Sequence, residues 1–234
     1  MPDVAILGVG MTRFTKQAER GYESLAAEAV RQAFEHANVR ASEIQASFCG
    51  AAAAPPGIGQ RVLKNIGLTG RPIVNVENAC ASGSTAIVEA CAWLRAGLCE
   101  VALAVGVEIL SEIRGTLPTQ DAWFFDTGLN LPGWYALQAS RHMQQYGLTK
   151  EQLAAVAVKN RRLAATNPRA YFQSLVTFEE VLGSRMIADP LYCTRPGMRC
   201  LPVCEFLRHF GWWSGWPLKF SRAHREVEHG LVAD

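Results

Sequence analysis

The chain has 234 residues, 49% of them hydrophobic and 19% charged, with a formal net charge of +2. A chain of that size buries about 70% of the surface its unfolded form exposes, so it needs no disulfide or metal staples. So small a charge excludes an electrostatic case for nucleic acid or an anionic membrane surface.

No apolar run reaches the roughly 18 residues of a membrane span. The N-terminus, MPDVAILGVGM, has an acid at position 3 and no basic segment, so it reads as a first strand rather than a signal peptide. Seven irregularly spaced cysteines read as reduced thiols, and a cytoplasmic location is expected.

Asp3 to Met11 is a continuous apolar run ending in glycines, which suits a buried strand. From Tyr22 to Asn38, Leu25, Ala29, Val30, Ala33 and Ala37 recur at helical spacing. Ile44 to Ala52 reads as a second strand, Ala53 to Gly59 as a Pro- and Gly-rich loop, and Gln60 to Ile66 as a short helix. Pro72 to Val76 is a third strand, Ser82 to Ala96 a helix, and the wholly apolar Val101 to Leu110 a fourth strand covered on both faces. Strands alternating with helices predict a layered α/β sheet. Ser111 to Trp134 dissolves into Gly, Pro, aromatics and acids, an irregular insertion. Helical spacing then returns at Leu137 to Tyr146 and at Lys150 to Ala165.

The candidate chemistry centres on VNVENACASGSTAI, Val74 to Ile87. Cys80 sits where a strand gives way to a helix, facing a first turn whose free N–H groups and dipole favour an anion. The thiolate is the nucleophilic form of cysteine. The small neighbours Ala79, Ala81, Ser82 and Gly83 leave room for an acyl group, and the turn's N–H groups could hold an oxyanion. Spacing alone also permits an ordinary packed residue, because cysteine is among the most buried residue types.

The surrounding words favour the nucleophile. NACASGSTAI resembles the nucleophile segment of thiolases, particularly the sterol-carrier-protein or lipid-transfer type. VAILGVGMTRF is similar to that family's first strand and turn. Met143 to Gln173 and Val176 to Leu191 are similar to the stretch after its loop region. The resemblance runs from Val4 to Leu191. It implies a thiolase-like layered α/β/α fold, represented by the N-terminal half plus loop region only. The corresponding divisions are an N-terminal α/β domain over 1–110 with the nucleophile, a loop region over 111–191, and an atypical tail over 192–234.

The implied activity is acyl-CoA C-acyltransferase chemistry in lipid metabolism, with Cys80 taking the acyl group from a straight-chain or sterol side-chain thioester. Coenzyme A and acyl-CoA enter as substrates, and no tightly bound cofactor or metal is expected. A homodimer is implied. The alternative on the same fold is an aldolase of steroid side-chain degradation that works with a small partner protein and does not need the cysteine as nucleophile. A third reading is a non-catalytic truncated product that exposes a large apolar face.

The family places a histidine in a glycine-rich segment and a second cysteine in a Cys-x-Gly motif, both in its C-terminal half. Here Cys193, Cys200 and Cys204 continue as Thr-Arg, Leu-Pro and Glu-Phe. No helix or strand period persists after Tyr192, and the residues from Cys193 to Asp234 hold three of the six tryptophans and three of the five histidines. A truncated or frameshifted reading with its break near Leu191 is the expectation.

Other candidates are weaker. Gly8 and Gly10 fit G-x-G, but Arg13 stands where a dinucleotide fingerprint needs its third glycine. Cys193, Cys200, Cys204, His209, His224 and His229 lack the C-x-x-C pair of a zinc site. Asp121, Asp126 and Glu108 read as solvated loop acids rather than paired acid/base carboxylates. His142 reads as a surface helix residue, and Cys91 and Cys99 as core packing. Lys159 to Arg162 reads as a solvated basic helix face, which the resemblance brings near the CoA phosphates.

Overall fold

The computed structural model describes residues 4–15, 20–109, 128–129, 131–192 and 218–222. The first apolar run is strand β1 (Val4–Val9), followed by helix α1 (Tyr22–Ala37), strand β2 (Ala46–Gly50), helix α2 (Ile58–Lys64) and strand β3 (Ile73–Val76). Helix α3 (Ser82–Arg95) and strand β4 (Val101–Gly106) complete the alternation expected from the sequence.

β2 pairs in parallel with both β3 and β4. The wholly apolar composition of β4 follows from its position, because helices cover the sheet on both sides. Leu103 and Val105 join Val30 of α1, Val62 and Leu63 of α2, and Cys49 in one core. Ala102 and Ala104, pointing the other way, pack with Phe48 and with Ala86, Ala90 and Leu94 of α3. The small side chains on that second face let α3 lie close to the strands. Trp93 of α3 closes the layer edge-on against Phe48, with ring centroids 5.3 Å apart at 76°.

Gly8 and Gly10 serve this packing. A Cβ on Gly10 would meet the Ala33 nitrogen of α1 at 2.7 Å, and one on Gly8 would meet the Ala37 Cβ at 2.7 Å. Their side-chain-free backbone lets β1 and α1 touch, a purely structural reason for the G-x-G spelling.

Among the described residues of the tail, 218–222 differ from the sequence reading. Leu218–Arg222 forms strand β7, antiparallel to β1 on one side and to β4 on the other, in a sheet ordered β1-β7-β4-β2-β3. Leu218 and Phe220 alternate with Lys219 and Ser221, a strand period that the aperiodic tail around them obscures. What selects the segment is the pairing of backbone groups along the facing sides of β1 and β4, a tertiary demand.

The contacts separate the described residues into two compact units, one of 4–12, 20–109 and 218–222, the other of 13–15, 128–129 and 131–192. The second unit contains α4 (Leu131–Tyr146), α5 (Lys150–Ala165), α6 (Phe178–Leu182) and a two-stranded ribbon of β5 (Met186–Ala188) and β6 (Leu191–Tyr192). α4 begins six residues before the apolar spacing does, with Pro132 inside its first turn, where a missing N–H costs nothing. Capping boxes start the next two helices: Thr149 with Gln152, and Thr177 with Glu180.

The basic run on α5 corrects an expectation. Lys159 and Arg162 are exposed, but Asn160 and Arg161 are buried, and the Arg161 guanidinium lies 4.0 Å from the centre of the Phe172 ring. Arginine is suited to such a place because its planar, weakly hydrated cation stacks on an aromatic face. His142 is exposed on α4, its ring 4.6 Å from Tyr146, in keeping with a surface role. Among the described residues no helix is long and apolar enough to cross a membrane.

Candidate active site

The parallel strands end level with one another, since Gly50 of β2 pairs with both Val76 of β3 and Gly106 of β4. The segments that follow are stitched together: Ala51 N–H donates to the Val76 carbonyl at 3.1 Å, and Val107 N–H donates to the Gly50 carbonyl at 3.2 Å. This carboxyl edge is where open α/β sheets place their ligands. Cys80 stands on it, half-buried, in a single 3₁₀ turn (Ala79–Ala81) that runs directly into α3.

The turn is held by its own side chains. The Glu77 carboxylate accepts the Ala79 N–H at 2.7 Å. Asn78 N–H donates to the Ser82 hydroxyl at 2.9 Å, which in turn donates to the Ala79 carbonyl at 2.7 Å. Asn78 also donates from its amide to Thr85 at 3.0 Å, and the Ser84 and Thr85 hydroxyls both reach the Ala81 carbonyl. The Asn and Ser/Thr residues beside Cys80 thus have local tasks, which explains their spacing. Ala81, at the N-cap of α3, supplies no side-chain cap. The first-turn donors of the helix therefore meet no capping oxygen from that residue.

Ala79 has φ +44°, in the left-handed region that non-glycine residues avoid. Strain of this kind, of order 1–3 kcal/mol, persists where surrounding structure over-determines it, and it clusters at reactive turns. Ala79→Gly is expected to hold its stability within about 1 kcal/mol, since relief of strain offsets the added freedom of the unfolded chain. Ala79→Val is expected to lower it by about 2 kcal/mol. Urea titration of both variants measures this. Equal midpoints for the two substitutions would contradict the strained geometry.

Gly50 lies beneath the turn. A Cβ there would stand 2.6 Å from the Ser82 carbonyl carbon and 2.9 Å from the Gly83 nitrogen. Only a residue without a side chain lets the end of β2 support the start of α3 this closely.

Glu108 is the main correction to the sequence reading of the site. It is half-buried, not a solvated loop acid. One carboxylate oxygen accepts the N–H groups of Ala52 at 2.7 Å and Ala53 at 2.9 Å, and the other accepts the Tyr22 hydroxyl at 3.4 Å. The signal available in the sequence was a single acid placed directly after a strand buried on both faces, where an unpaired charge is costly.

Cys49, which the sequence did not single out, is fully buried in β2. Burial, with a smaller contribution from the Glu108 charge, pushes its thiol up from the ordinary value near 9.0 to about 12. Its folded form therefore keeps a proton that the unfolded chain loses. Stability is fully present below pH 9 and falls as pH rises from about 9 towards about 12, by up to about 1.4 kcal/mol per unit. Urea midpoints across that window are expected to fall less steeply in Cys49→Ala; identical slopes would show that the thiol titrates alike in the folded and unfolded states. Cys99 is buried and Cys91 half-buried against the α3 core, as expected of packing residues, and burial raises both thiols.

Asp121, Asp126, Cys193, Cys200, Cys204, His209, His224 and His229 lie outside the described residues. Among the described residues no cluster of three His, Cys, Asp or Glu side chains could hold a metal ion. The side chains that hydrogen-bond to the Cys80 turn include carboxylate, amide and hydroxyl groups and, among the described residues, no histidine.

Residues 4–196 match the family model described as thiolase, N-terminal domain. The chain is similar to an acetyl-CoA acetyltransferase of Methanothermobacter thermautotrophicus, at 36% identity over 215 residues, 88% of this chain and 55% of that one. It is also similar to sterol carrier protein 2 of Homo sapiens, at 31% identity over 220 residues, 86% of this chain and 40% of that one. Among solved structures it is similar to an Ltp2-ChsH2(DUF35) aldolase, with a TM-score of 0.72 and 26% identity, covering 93% of this chain and 54% of that one. The chain spans about half the length of the curated relatives it matches.

Proposed function

Since the chain belongs to the thiolase family through its N-terminal domain, we propose that it takes part in acyl transfer from coenzyme A thioesters, with Cys80 as the acyl acceptor. The observation that carries this reading is the position of Cys80: half-buried on the carboxyl edge of the sheet, in a strained turn feeding the uncapped start of α3. In the step envisaged, the Cys80 sulfur bonds to the thioester carbonyl carbon. The carbon–sulfur bond to coenzyme A breaks, and CoA leaves as a thiolate that takes up the proton Cys80 has given to the base. The proton first held by Cys80 must pass to a base, and the hydrogen-bond pattern of the described turn supplies no histidine for it. The base belongs elsewhere in the working assembly.

Coenzyme A enters as substrate, and no tightly held cofactor is part of the reading. The acetyl-CoA acetyltransferase relatives support a short acyl group, and the sterol carrier protein 2 relatives support a longer acyl or sterol side chain in lipid metabolism. We take the working unit to be a homodimer in the cytoplasm. Incubation with acetyl-CoA followed by peptide mass spectrometry tests the reading: an acetyl group on Cys80 supports it, and unmodified Cys80 under turnover conditions overturns it.

One finding favours a second reading. The aldolase similar in structure over 93% of this chain, Ltp2-ChsH2(DUF35), is named for a DUF35 protein alongside Ltp2. On that reading the chain cleaves or forms a carbon–carbon bond beside a small partner protein, with no acyl-cysteine. Carbon–carbon cleavage that persists in Cys80→Ala together with such a partner would select it.

A further inference from the structure

We propose that Glu108 is a positioning residue for the Cys80 site, holding the loop after β2 (residues 51–54) in place so that it forms a fixed wall beside the nucleophile turn; this rests on the acyl-transfer reading of Cys80. The connection runs through named bonds. The Glu108 carboxylate accepts two successive backbone N–H groups, those of Ala52 and Ala53. The preceding residue, Ala51, donates its N–H to the last carbonyl of β3, two residues before Asn78 opens the nucleophile turn. Gly50, one residue earlier, supports Ser82 and Gly83 at the start of α3. Glu108 thus anchors the free end of a short segment whose other end lies under the turn that carries Cys80.

The chemistry of the anchor suits a fixed element. A loop of four consecutive alanines, Ala51 to Ala54, has no polar side chain with which to satisfy its own backbone. Two adjacent N–H groups aimed at one oxygen make a small anion-binding cradle, and a carboxylate is the strongest side-chain acceptor available for it. The other carboxylate oxygen is held by the Tyr22 hydroxyl at the start of α1, so two separate segments fix one group. Glu108 itself extends from the end of β4, the strand adjacent to β2, and inherits the rigidity of the sheet. Half-buried and with both oxygens engaged, it is a support.

The experiment uses Glu108→Ala and Glu108→Gln in the whole chain. Gln keeps the shape and an accepting oxygen without the charge, and Ala removes the anchor. Amide exchange in a peptide spanning residues 50–57 reads the anchor directly. Acetylation of Cys80 by acetyl-CoA reads its use, and alkylation of Cys80 by iodoacetamide reports a small reagent that needs no wall. Glu108→Ala is expected to speed exchange in that peptide about tenfold or more and to slow acetylation about tenfold. Alkylation should change less than threefold, and Glu108→Gln should recover most of both losses.

Unchanged exchange in Glu108→Ala would show that the loop needs no anchor. Faster exchange with unchanged acetylation would show that the loop is not part of the site; either result overturns the proposal. A parent chain whose Cys80 accepts no acetyl group defeats the acyl-transfer reading itself, and with it the assignment of Glu108 to that site, whatever the exchange data show. A thermal melt monitored by circular dichroism confirms that the variants are folded; if Glu108→Ala is not, Glu108→Asp, whose shorter side chain draws the carboxylate away from the Ala52 and Ala53 N–H groups, carries the test with the same two overturning outcomes.

Discussion

Cys80→Ser incubated with acetyl-CoA is expected to gain no acyl group, whereas the parent chain gains one, at Cys80. Serine is nearly the same size but is a far weaker nucleophile at neutral pH, since its hydroxyl stays protonated without an adjacent base. The turn offers the hydroxyl nothing to remedy this: its hydrogen-bonding side chains Glu77, Asn78, Ser82, Ser84 and Thr85 are committed to the backbone or to one another. The expected loss is on the order of 10⁴-fold or more, the scale seen when a nucleophile is removed from a working site. Cys49 provides the internal control. Its thiol is buried and pushed up to about 12, so it should stay unacylated in both proteins. Acylation of Cys49 or Cys91 at the rate of Cys80 would mean that the turn confers no selectivity.

Gly50→Ala is expected to be the most damaging single-methyl change near the site. The added Cβ would overlap the Ser82 carbonyl, which is backbone at the start of a helix and cannot rotate away. Either β2 or the first turn of α3 must move. Overpacking of this kind costs about 3 kcal/mol, and because the moving part carries Cys80, acylation should fall with stability. Fluorescence-monitored urea unfolding, with Trp93 in the adjacent core as reporter, gives the first quantity, and the acyl-trapping assay gives the second. A Gly50→Ala protein of parental stability that still acylates normally would show that the close approach of β2 and α3 is not required.

These expectations rest on two kinds of information that the chain carries differently. Helices and strands up to β4 were legible from local apolar spacing, which is strongest in β4, the strand buried almost throughout; β1, read as buried, leaves Ile6 and Leu7 exposed. VALAVG is apolar at every position, and the helix after Cys80 repeats Ala86, Ala90 and Leu94 at helical spacing. The candidacy of Cys80 rests on local words too: a nucleophile at a strand–helix junction needs small neighbours, and NACASGS displays them in one unbroken run. The short elements were not legible. α6 and the β5–β6 ribbon have five residues or fewer apiece, below the length at which a period can be seen.

The sequence by itself determined which of the longer segments are helix and strand and which faces are apolar, and it singled out Cys80 as the candidate nucleophile, because each of these depends on neighbours within a turn or a strand length. Tertiary structure alone decided the rest. It decided that Glu108 is an anchor, through partners 55 and 56 positions away in the chain. It decided that Arg161 is buried against Phe172 while Lys159 and Arg162 stay in water, a choice the basic run could not express. It also placed Leu218–Arg222 between β1 and β4, where it pairs with both. Hydrogen bonds and charge burial across long sequence separations leave no periodic trace, so they become visible only when the chain is folded.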